Sequence, residues 1–543
     1  MRMDPGIAAM ARFHETAAAT DFPETLGAFV AECAAQHGDK PLSIYFDEDR
    51  VLSYAGLDRS ASKLASGLLE MGVRKGTHVA VMVPNVPEFL ITWAALGRIG
   101  AVMVPANTGY GVEELTYLLT DSDAQFMVVD ADYLDRLQGM ETLPPLLAPA
   151  RILVRGTPPA GYADWQGVHD AGDAAFAAPS PVTRTDLLNL QYTSGTTGFP
   201  KGCMLSHDYW MLLGHLAAMQ RGQGGQIRNT LIWAPYFYMD PQWQTLMTMA
   251  LGGTAHVARK MQLGRFMDWL IDYEIEYCAF PEPALKRFPP SERDGQTKLR
   301  YINAFGWSGP ANEEVERRFD VVARNTFGMT EIGSGLSVPP EATHMTGSQS
   351  CGVPSPFRQM RIVDEAGRDV PPGEVGELWV AGRSVLQGYY KKPQANADSF
   401  TGRWFHTGDL FRQDETGYYY IVGRIKEMIK RSGENISARE LEEVLRRMPE
   451  IEEAAAVPEP DELRKEEVKV YVMLAEGLTP KDCPPDAVIA HCAAHLAAFK
   501  IPRYVGYVDD FPRTPTRKIA KTKITEAHQI TDIWDARKDP GTG

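Results

Sequence analysis

Residues 78–130 read "HVAVMVPNVPEFLITWAALGRIGAVMVPANTGYGVEELTYLLTDSDAQFMVVD". The run "HVAVMVP" (78–84) is apolar almost throughout, as a strand covered on both faces would be. "VPEFLITWAALGRIG" (86–100) follows with helical spacing and stops at a glycine. "AVMVPAN" (101–107) is again a strand, "GVEELTYLLTDSD" (111–123) a helix and "AQFMVVD" (124–130) a third strand. Strands alternating with helices of this length predict βαβ units and a parallel sheet covered by helices.

Working outward, residues 156–182 are rich in Gly, Pro and Ala and read as a surface connection before the strand "LLNLQY". Beyond about residue 352 the texture changes. "QMRIVDEAGRDVPPGEVGELWVAG" alternates and turns through Gly and Pro, which predicts antiparallel hairpins. A strand ends at Val422, a charged segment follows, and a helix starts near Ala438. From there "EAAAVPEP", "VKVYVMLAE", "AVIAHCAAHLAAFK" and "RYVGYVDDFP" predict a compact α+β unit. The expected fold class is α/β. A large N-terminal domain (1–422) holds parallel-rich sheets and, from near 352, a β-barrel-like subdomain. A small α+β domain (423–543) completes the chain.

At 543 residues the chain exceeds what one core normally supports. Its formal charge of −15 disfavours broad nucleic-acid or anionic-membrane binding, so an anionic ligand needs a local positive site. Six scattered cysteines without close pairs read as reduced thiols of a cytoplasmic protein. Neither a signal peptide nor an apolar run of ~18 residues is evident. Residues 7–20 read as a short terminal helix.

One loop supplies the local positive site. "YTSGTTGFPKG" (192–202) combines glycines, which let backbone N–H groups approach a phosphate, with hydroxyl donors and Lys201. It is not a Walker loop, because the lysine is followed by glycine rather than a hydroxyl residue. Four further stretches follow in order: "FGMTE" (327–331), "WFHTGDL" (404–410), "GRIKEMIKRSGENIS" (423–437) and "FPRTPTRKIAK" (511–521). Together the five resemble the ordered motifs of the AMP-forming acyl-adenylate enzymes: acyl-CoA synthetases, adenylation domains and luciferases. The C-terminal stretches "IKRSGENIS", "VKVYVMLAEG", "AFKIP" and "FPRTPTRK" are most similar to the carnitine/crotonobetaine-CoA ligase branch.

The resemblance implies a two-step reaction. ATP and a carboxylate give acyl-AMP and pyrophosphate, and the thiol of coenzyme A then displaces AMP. By the same resemblance Thr193, Ser194, Gly195, Thr196, Thr197 and Gly198 wrap the β- and γ-phosphates beside Lys201. Phe327, where the family usually has tyrosine, lies against adenine, next to Gly328 and Met329. Thr330 binds the α-phosphate and Glu331 holds Mg²⁺, a hard ion suited to one carboxylate plus substrate phosphates. Asp409 takes the ribose hydroxyls with Arg424 in support. Lys518 drives adenylation, although Arg517 stands where the family commonly has glycine. Lys426 matches the hinge about which a mobile C-terminal domain turns, bringing to the site Lys430, as a catalytic residue, and Ser432 and Gly433, as the coenzyme A tunnel.

For the acid, the resemblance points to residues 233–243, 303–309 and the surroundings of "GMTEIGSG". Tyr236, Tyr238, Met239, Trp243, Phe305, Gly306 and Trp307 are the expected pocket residues. Tyr238 takes a position often held by histidine, and an inward Trp307 shortens the pocket toward a compact acid. Tyr236, Tyr238, Trp243 and Trp307 also offer a face for a quaternary ammonium group, with Asp240 as counter-ion. The partners expected are a small carboxylic acid, ATP and CoA, with no nucleic acid and no integral membrane segment; a homodimer is left open. Two other functions compete: a stand-alone adenylation enzyme loading a carrier protein, and a non-catalytic nucleotide sensor of the same fold.

Overall fold

The computed structural model describes residues 4–193, 200–221, 227–431, 434–461, 463–513, 519–524 and 533–536. The chain divides into two compact units. Among the described residues, one unit comprises those within 4–193, 200–359 and 381–403, and the other those within 360–380 and 404–536.

The first unit is built on two sheets. In the seven-stranded sheet, His78–Met82 lies between Phe126–Asp130 and Val102–Pro105, parallel to both. The helices Pro87–Ile99 and Val112–Asp121 make the crossovers. Gly100 ends the first of these at φ 69°, a left-handed conformation that glycine adopts without strain. The strands are fully buried, as their unbroken apolar runs require, and Ala80, Met82, Val104, Met127 and Val129 share one core with Leu115 and Leu118. The βαβ expectation therefore holds across 78–130. The sheet ends in an antiparallel hairpin, Leu187–Thr193 with Lys201–Ser206.

The nine-stranded sheet carries Asn229–Ile232, Tyr277–Ala279, Tyr301–Ala304 and Val322–Met329 in parallel. Gly333–Ser337 then folds back antiparallel. Against its core of Leu231, Trp269, Ile302 and Phe319 packs the helix Phe266–Asp272.

One segment differs from the sequence reading and one agrees with it. The connection 156–182 contains a helix, Trp165–Ala171, because Asp164 accepts from the amides of Gln166 and Gly167 and caps it. Trp165 then docks, with its Nε1 donating to Thr92 Oγ1 at 3.3 Å. The terminal helix forms as Pro5–Ala19, capped by Asp4, and buries Met10, Phe13 and Ala17.

The second unit holds an antiparallel five-stranded sheet, in which Gly376–Gly382, Trp404–Gln413 and Tyr419–Arg424 are successive neighbours. A six-stranded sheet follows, centred on Lys465–Leu474. The helices Ala438–Leu445 and Pro485–His495 contribute Leu441, Leu445, Val488 and Cys492 to its core. All six cysteines are buried free thiols. Among the described residues no helix is long and apolar enough to cross a membrane.

Candidate active site

The glycine- and threonine-rich loop is bracketed by a hairpin pair, with Thr193 directly opposite Lys201. Ser194, Gly195, Thr196, Thr197 and Gly198 lie outside the described residues. The Lys201 ammonium sits 4.6 Å from the centre of the Tyr389 ring. The Tyr389 hydroxyl in turn donates to Glu331 Oε1 at 2.9 Å. Burial and the Glu331 carboxylate push the Tyr389 phenol upward, so it keeps its proton and remains a donor. Tyr389 thus joins two residues read from separate motifs, and sequence reasoning missed it.

Glu331 belongs to a tight turn between Val322–Met329 and Gly333–Ser337, closed by Ile332 N–H donating to Met329 O at 3.0 Å. Gly328 fits there because a Cβ would come within 2.5 Å of the Gly333 carbonyl. Three successive carbonyls of this turn are each held from elsewhere. Tyr209 Oη donates to Thr330 O at 3.0 Å. Leu386 N–H donates to Glu331 O at 2.8 Å. Arg358 donates to Ile332 O through Nε at 3.0 Å and Nη2 at 2.7 Å. Arg358 is buried, which pulls its guanidinium down to about 10 and leaves it charged at neutral pH. Buried charge tied to backbone acceptors fixes geometry at the cost of desolvation. Thr330 Oγ1 contacts Met239 Sδ at 3.4 Å, so the turn also meets the helix Met239–Ala250. Phe327 and Met329 are half-buried and Gly328 is exposed.

The segment before that helix is held by buried amides. Asn85 accepts from the Tyr236 N–H at 2.8 Å and donates to Ala234 O at 2.9 Å. Gln191 donates to Phe237 O at 2.7 Å, and Gln242 donates to Tyr236 O at 2.9 Å. These three amides carry no motif of their own.

The expected aromatic face does not form. Tyr236 is buried, stacks on Phe89 and bonds Thr245. Trp307 packs edge-on against Phe280 in the core, its indole spent on packing with Phe319 nearby. Trp243 receives the protein's own Arg221 at 5.3 Å, and Asp240 accepts from the Trp243 Nε1 at 2.9 Å. Tyr238 lies against Phe237. A quaternary ammonium site built from these four rings is therefore corrected: each ring already has another neighbour. Phe305 stands 46% exposed beside Gly306, whose φ is 66°.

In the second unit, Asp409 and Arg424 face each other across neighbouring strands. Arg424 Nε donates to the buried Asp409 Oδ1 at 2.8 Å. The "TGD" turn is shaped by Thr407 Oγ1, which donates to Leu378 O at 2.7 Å, and by Gly408 at φ 71°. Lys426 is exposed in the turn Ile425–Glu427, and Lys430 is exposed on Met428–Arg431. Ser432, Gly433 and Lys518 lie outside the described residues.

Comparison with known proteins places these features in a family. The model of the AMP-binding enzymes matches residues 30–390, and that of the AMP-binding enzyme C-terminal domain matches 440–518. A feruloyl-CoA synthase of an Amycolatopsis species is 33% identical over 485 residues, covering 87% of this chain and 93% of that protein. The crotonobetaine/carnitine–CoA ligase of Proteus mirabilis is 30% identical, covering 90% and 96%. The crystal structure of an anthranilate CoA ligase with anthranoyl-AMP superimposes with a TM-score of 0.84 at 22% identity, covering 94% of this chain and 98% of that one.

Proposed function

This chain belongs to the AMP-binding enzyme family, as an AMP-forming acyl-CoA ligase, and we propose how its own residues carry the reaction. The carrying observation is the Lys201–Tyr389–Glu331 chain. It sets a cation at the foot of the Gly/Thr loop and a carboxylate on the immobilised turn.

In the first step a carboxylate oxygen of the acid attacks the α-phosphorus of ATP, and the bond to the β-phosphate oxygen breaks. An anion is brought against a polyanion, so cationic and hydrogen-bonding groups lower the barrier. Thr193 to Gly198 and Lys201 bind the β- and γ-phosphates. Thr330 binds the α-phosphate, Phe327 to Met329 border the adenine, and Asp409 with Arg424 binds the ribose. Lys518 meets the α-phosphate and the attacking carboxylate. Glu331 suits Mg²⁺: its carboxylate is a hard oxygen donor, buried and oriented by Tyr389, and substrate phosphates complete such a site. The ion bound there supplies charge neutralisation on the phosphates.

In the second step the coenzyme A sulfur attacks the acyl carbon, AMP leaves, and the thiol proton passes to solvent. The segment from residue 423 turns about Lys426, Lys518 withdraws, and Lys430, Ser432 and Gly433 border the pantetheine. Met239, Phe305 and Gly306 border the acid from the side of the nucleotide turn.

The test is AMP and pyrophosphate release from purified protein with ATP, Mg²⁺ and short, branched, aromatic, steroid-side-chain and trimethylammonium acids, with and without CoA. AMP release that requires both an acid and CoA supports the ligase. Release that requires a carrier protein instead would transfer the reading to a stand-alone adenylation enzyme, and absence of AMP with every acid would remove it.

A further inference from the structure

The helix His207–Arg221 ends on a buried cation. Arg221 is 8% exposed, and its guanidinium lies 5.3 Å from the Trp243 ring, 5.6 Å from Tyr277 and 5.2 Å from Tyr301. It donates through Nε and Nη2 to Asn303 Oδ1 at 3.3 and 2.7 Å, and through Nη1 to Ala217 O at 3.2 Å. These bonds use three of the five N–H groups an arginine offers. Among the described residues no carboxylate pairs with it. Asp240 acts on Tyr277 as well, but it accepts from Trp243 and stays beyond ion-pair range of Arg221. A buried arginine is ordinarily matched by a carboxylate, because an uncompensated charge in the interior is expensive.

A second observation is independent of the first. The hydroxyls of Tyr277 and Tyr301 are buried and without a hydrogen-bond partner among the described residues, on side chains 0% and 4% exposed. Their rings are 6.4 Å apart on neighbouring strands and flank the same guanidinium. Unpaired buried hydroxyls beside an unpaired buried cation mark unused binding capacity in one place.

The cluster is tied to both segments expected to border the acid. Trp243 comes from the first and Asn303 from the second. Trp243 lies one turn along its helix from Met239, which touches Thr330; four residues amount to ~6 Å.

We propose that Arg221, Tyr277 and Tyr301 recognise an oxygen acceptor at the far end of the acid, so that the substrates are short or single-ring carboxylic acids bearing a distal carboxylate, carbonyl or similar oxygen group. This rests on the ligase reading above. The guanidinium gives a forked pair of N–H donors, and the two phenols add O–H donors. A purely hydrocarbon end leaves all of these groups unmet, which is the arrangement that discriminates most strongly. Because Asp240 stands nearby, a neutral acceptor and a full carboxylate are distinguishable.

The experiment uses the full chain with CoA, ATP and two matched sets: glutarate, its monoamide and valerate; terephthalate, its monoamide and p-toluate. kcat/KM is expected to favour an oxygen-ended acid over the methyl-ended one by about 10- to 100-fold. Arg221→Met should reduce that preference to within about 3-fold. Arg221→Gln, which keeps a donor toward Asn303, guards against loss of folding and should do the same. Tyr277→Phe and Tyr301→Phe should each trim the preference about 3- to 10-fold while leaving the ligand-free melting temperature unchanged or higher, since each deletes an unpaired buried hydroxyl. Equal or better turnover of valerate and p-toluate, or a preference that survives Arg221→Met, overturns this inference alone. A cluster that merely holds water predicts lower melting temperatures for both Phe variants with no change in preference, and that result overturns it too. No CoA-dependent AMP with any of the six acids overturns the ligase reading and this inference with it.

Discussion

The turn around Glu331 and the turn around Lys426 are both short, both polar and both read from motifs, yet they are held in opposite ways. At residues 330–332 three consecutive carbonyls are gripped by a tyrosine, a backbone amide and a buried arginine. At residues 425–427 the anchoring is by side-chain charge. Lys521 bridges Glu427 at 2.6 Å and Glu442 at 2.7 Å, while Ile425 and Lys426 stand exposed. Burial works against the Lys521 charge, but Glu442 and Glu427 beside it hold its ammonium above the ordinary value. Hydrogen bonds from buried groups to backbone fix an atom to a few tenths of an ångström. Ion pairs among side chains hold a segment through charge and yield to a competing charge. The difference fits the proposed reaction, in which one turn aims charge at phosphate and the other releases its hold between the two half-reactions.

The sharpest way to break this contrast is to compare half-reactions. Lys518→Ala should lower acyl-AMP formation by about 10³-fold or more, while thioester formation from supplied acyl-AMP stays within about 10-fold of wild type. Pyrophosphate release reads the first and acyl-CoA formation the second. Equal loss in both would sink the division of labour. Next in size is Tyr389→Phe, which keeps the ring under Lys201 and removes the donor to Glu331. We expect about 10- to 100-fold off adenylation, a raised Mg²⁺ requirement and a melting temperature nearly unchanged. A large fall in stability with normal Mg²⁺ dependence would instead make Tyr389 a packing residue. Lys521→Met should act on the other turn. It leaves Glu442 nearly buried beside Glu427 without their cation, at about 2–4 kcal/mol of local stability. Hydrogen exchange at 427–445 would report it, and unaltered protection there would show that the bridge holds nothing.

What the sequence disclosed depended on how local the cause was. The strands and helices of 78–130 are set by neighbouring residues, and Gly100 ends its helix by its own backbone freedom. Asp409 and Arg424 are 15 residues apart, and one hairpin register brings them opposite each other. Tyr389, Tyr209 and Arg358 act on the Glu331 turn from a loop, a helix and a strand, and only the tertiary fold shows that their polar ends converge. The aromatic residues misled for the same reason. The resemblance places Tyr236 and Trp307 beside the acid but does not say whether their rings meet a ligand or Phe89 and Phe280. Arg221, at the end of a helix buried almost all round, reads as a terminal solvated charge until the three rings around it are seen. The helix Trp165–Ala171 was hidden because the Gly- and Pro-rich composition on both sides outweighs seven residues and one Asp cap.

The smallest predicted effect separates the two units by pH rather than by salt. In the first unit, burial pulls the His207 imidazole down from its ordinary value to about 4, and its Nδ1 accepts from the Leu26 N–H at 3.1 Å as only a neutral ring can. Above about pH 6.5 the ring is neutral whether the chain is folded or not, and it contributes no pH dependence. Between about 6.5 and 4 the unfolded chain takes up a proton that the folded one refuses, so stability falls as pH falls, and the loss levels off below about 4. Moving from pH 7.5 to 5.5 should therefore cost about 1 kcal/mol through this residue, a shift of about one degree in melting temperature. His207→Gln keeps an acceptor for the Leu26 amide and cannot titrate, so its melting temperature should fall less over the same interval. Adding salt at pH 7.5 should leave that difference between variant and wild type unchanged. If the variant shows the same pH slope as wild type, His207 is not what refuses the proton, and the first unit owes its acid sensitivity to its carboxylates.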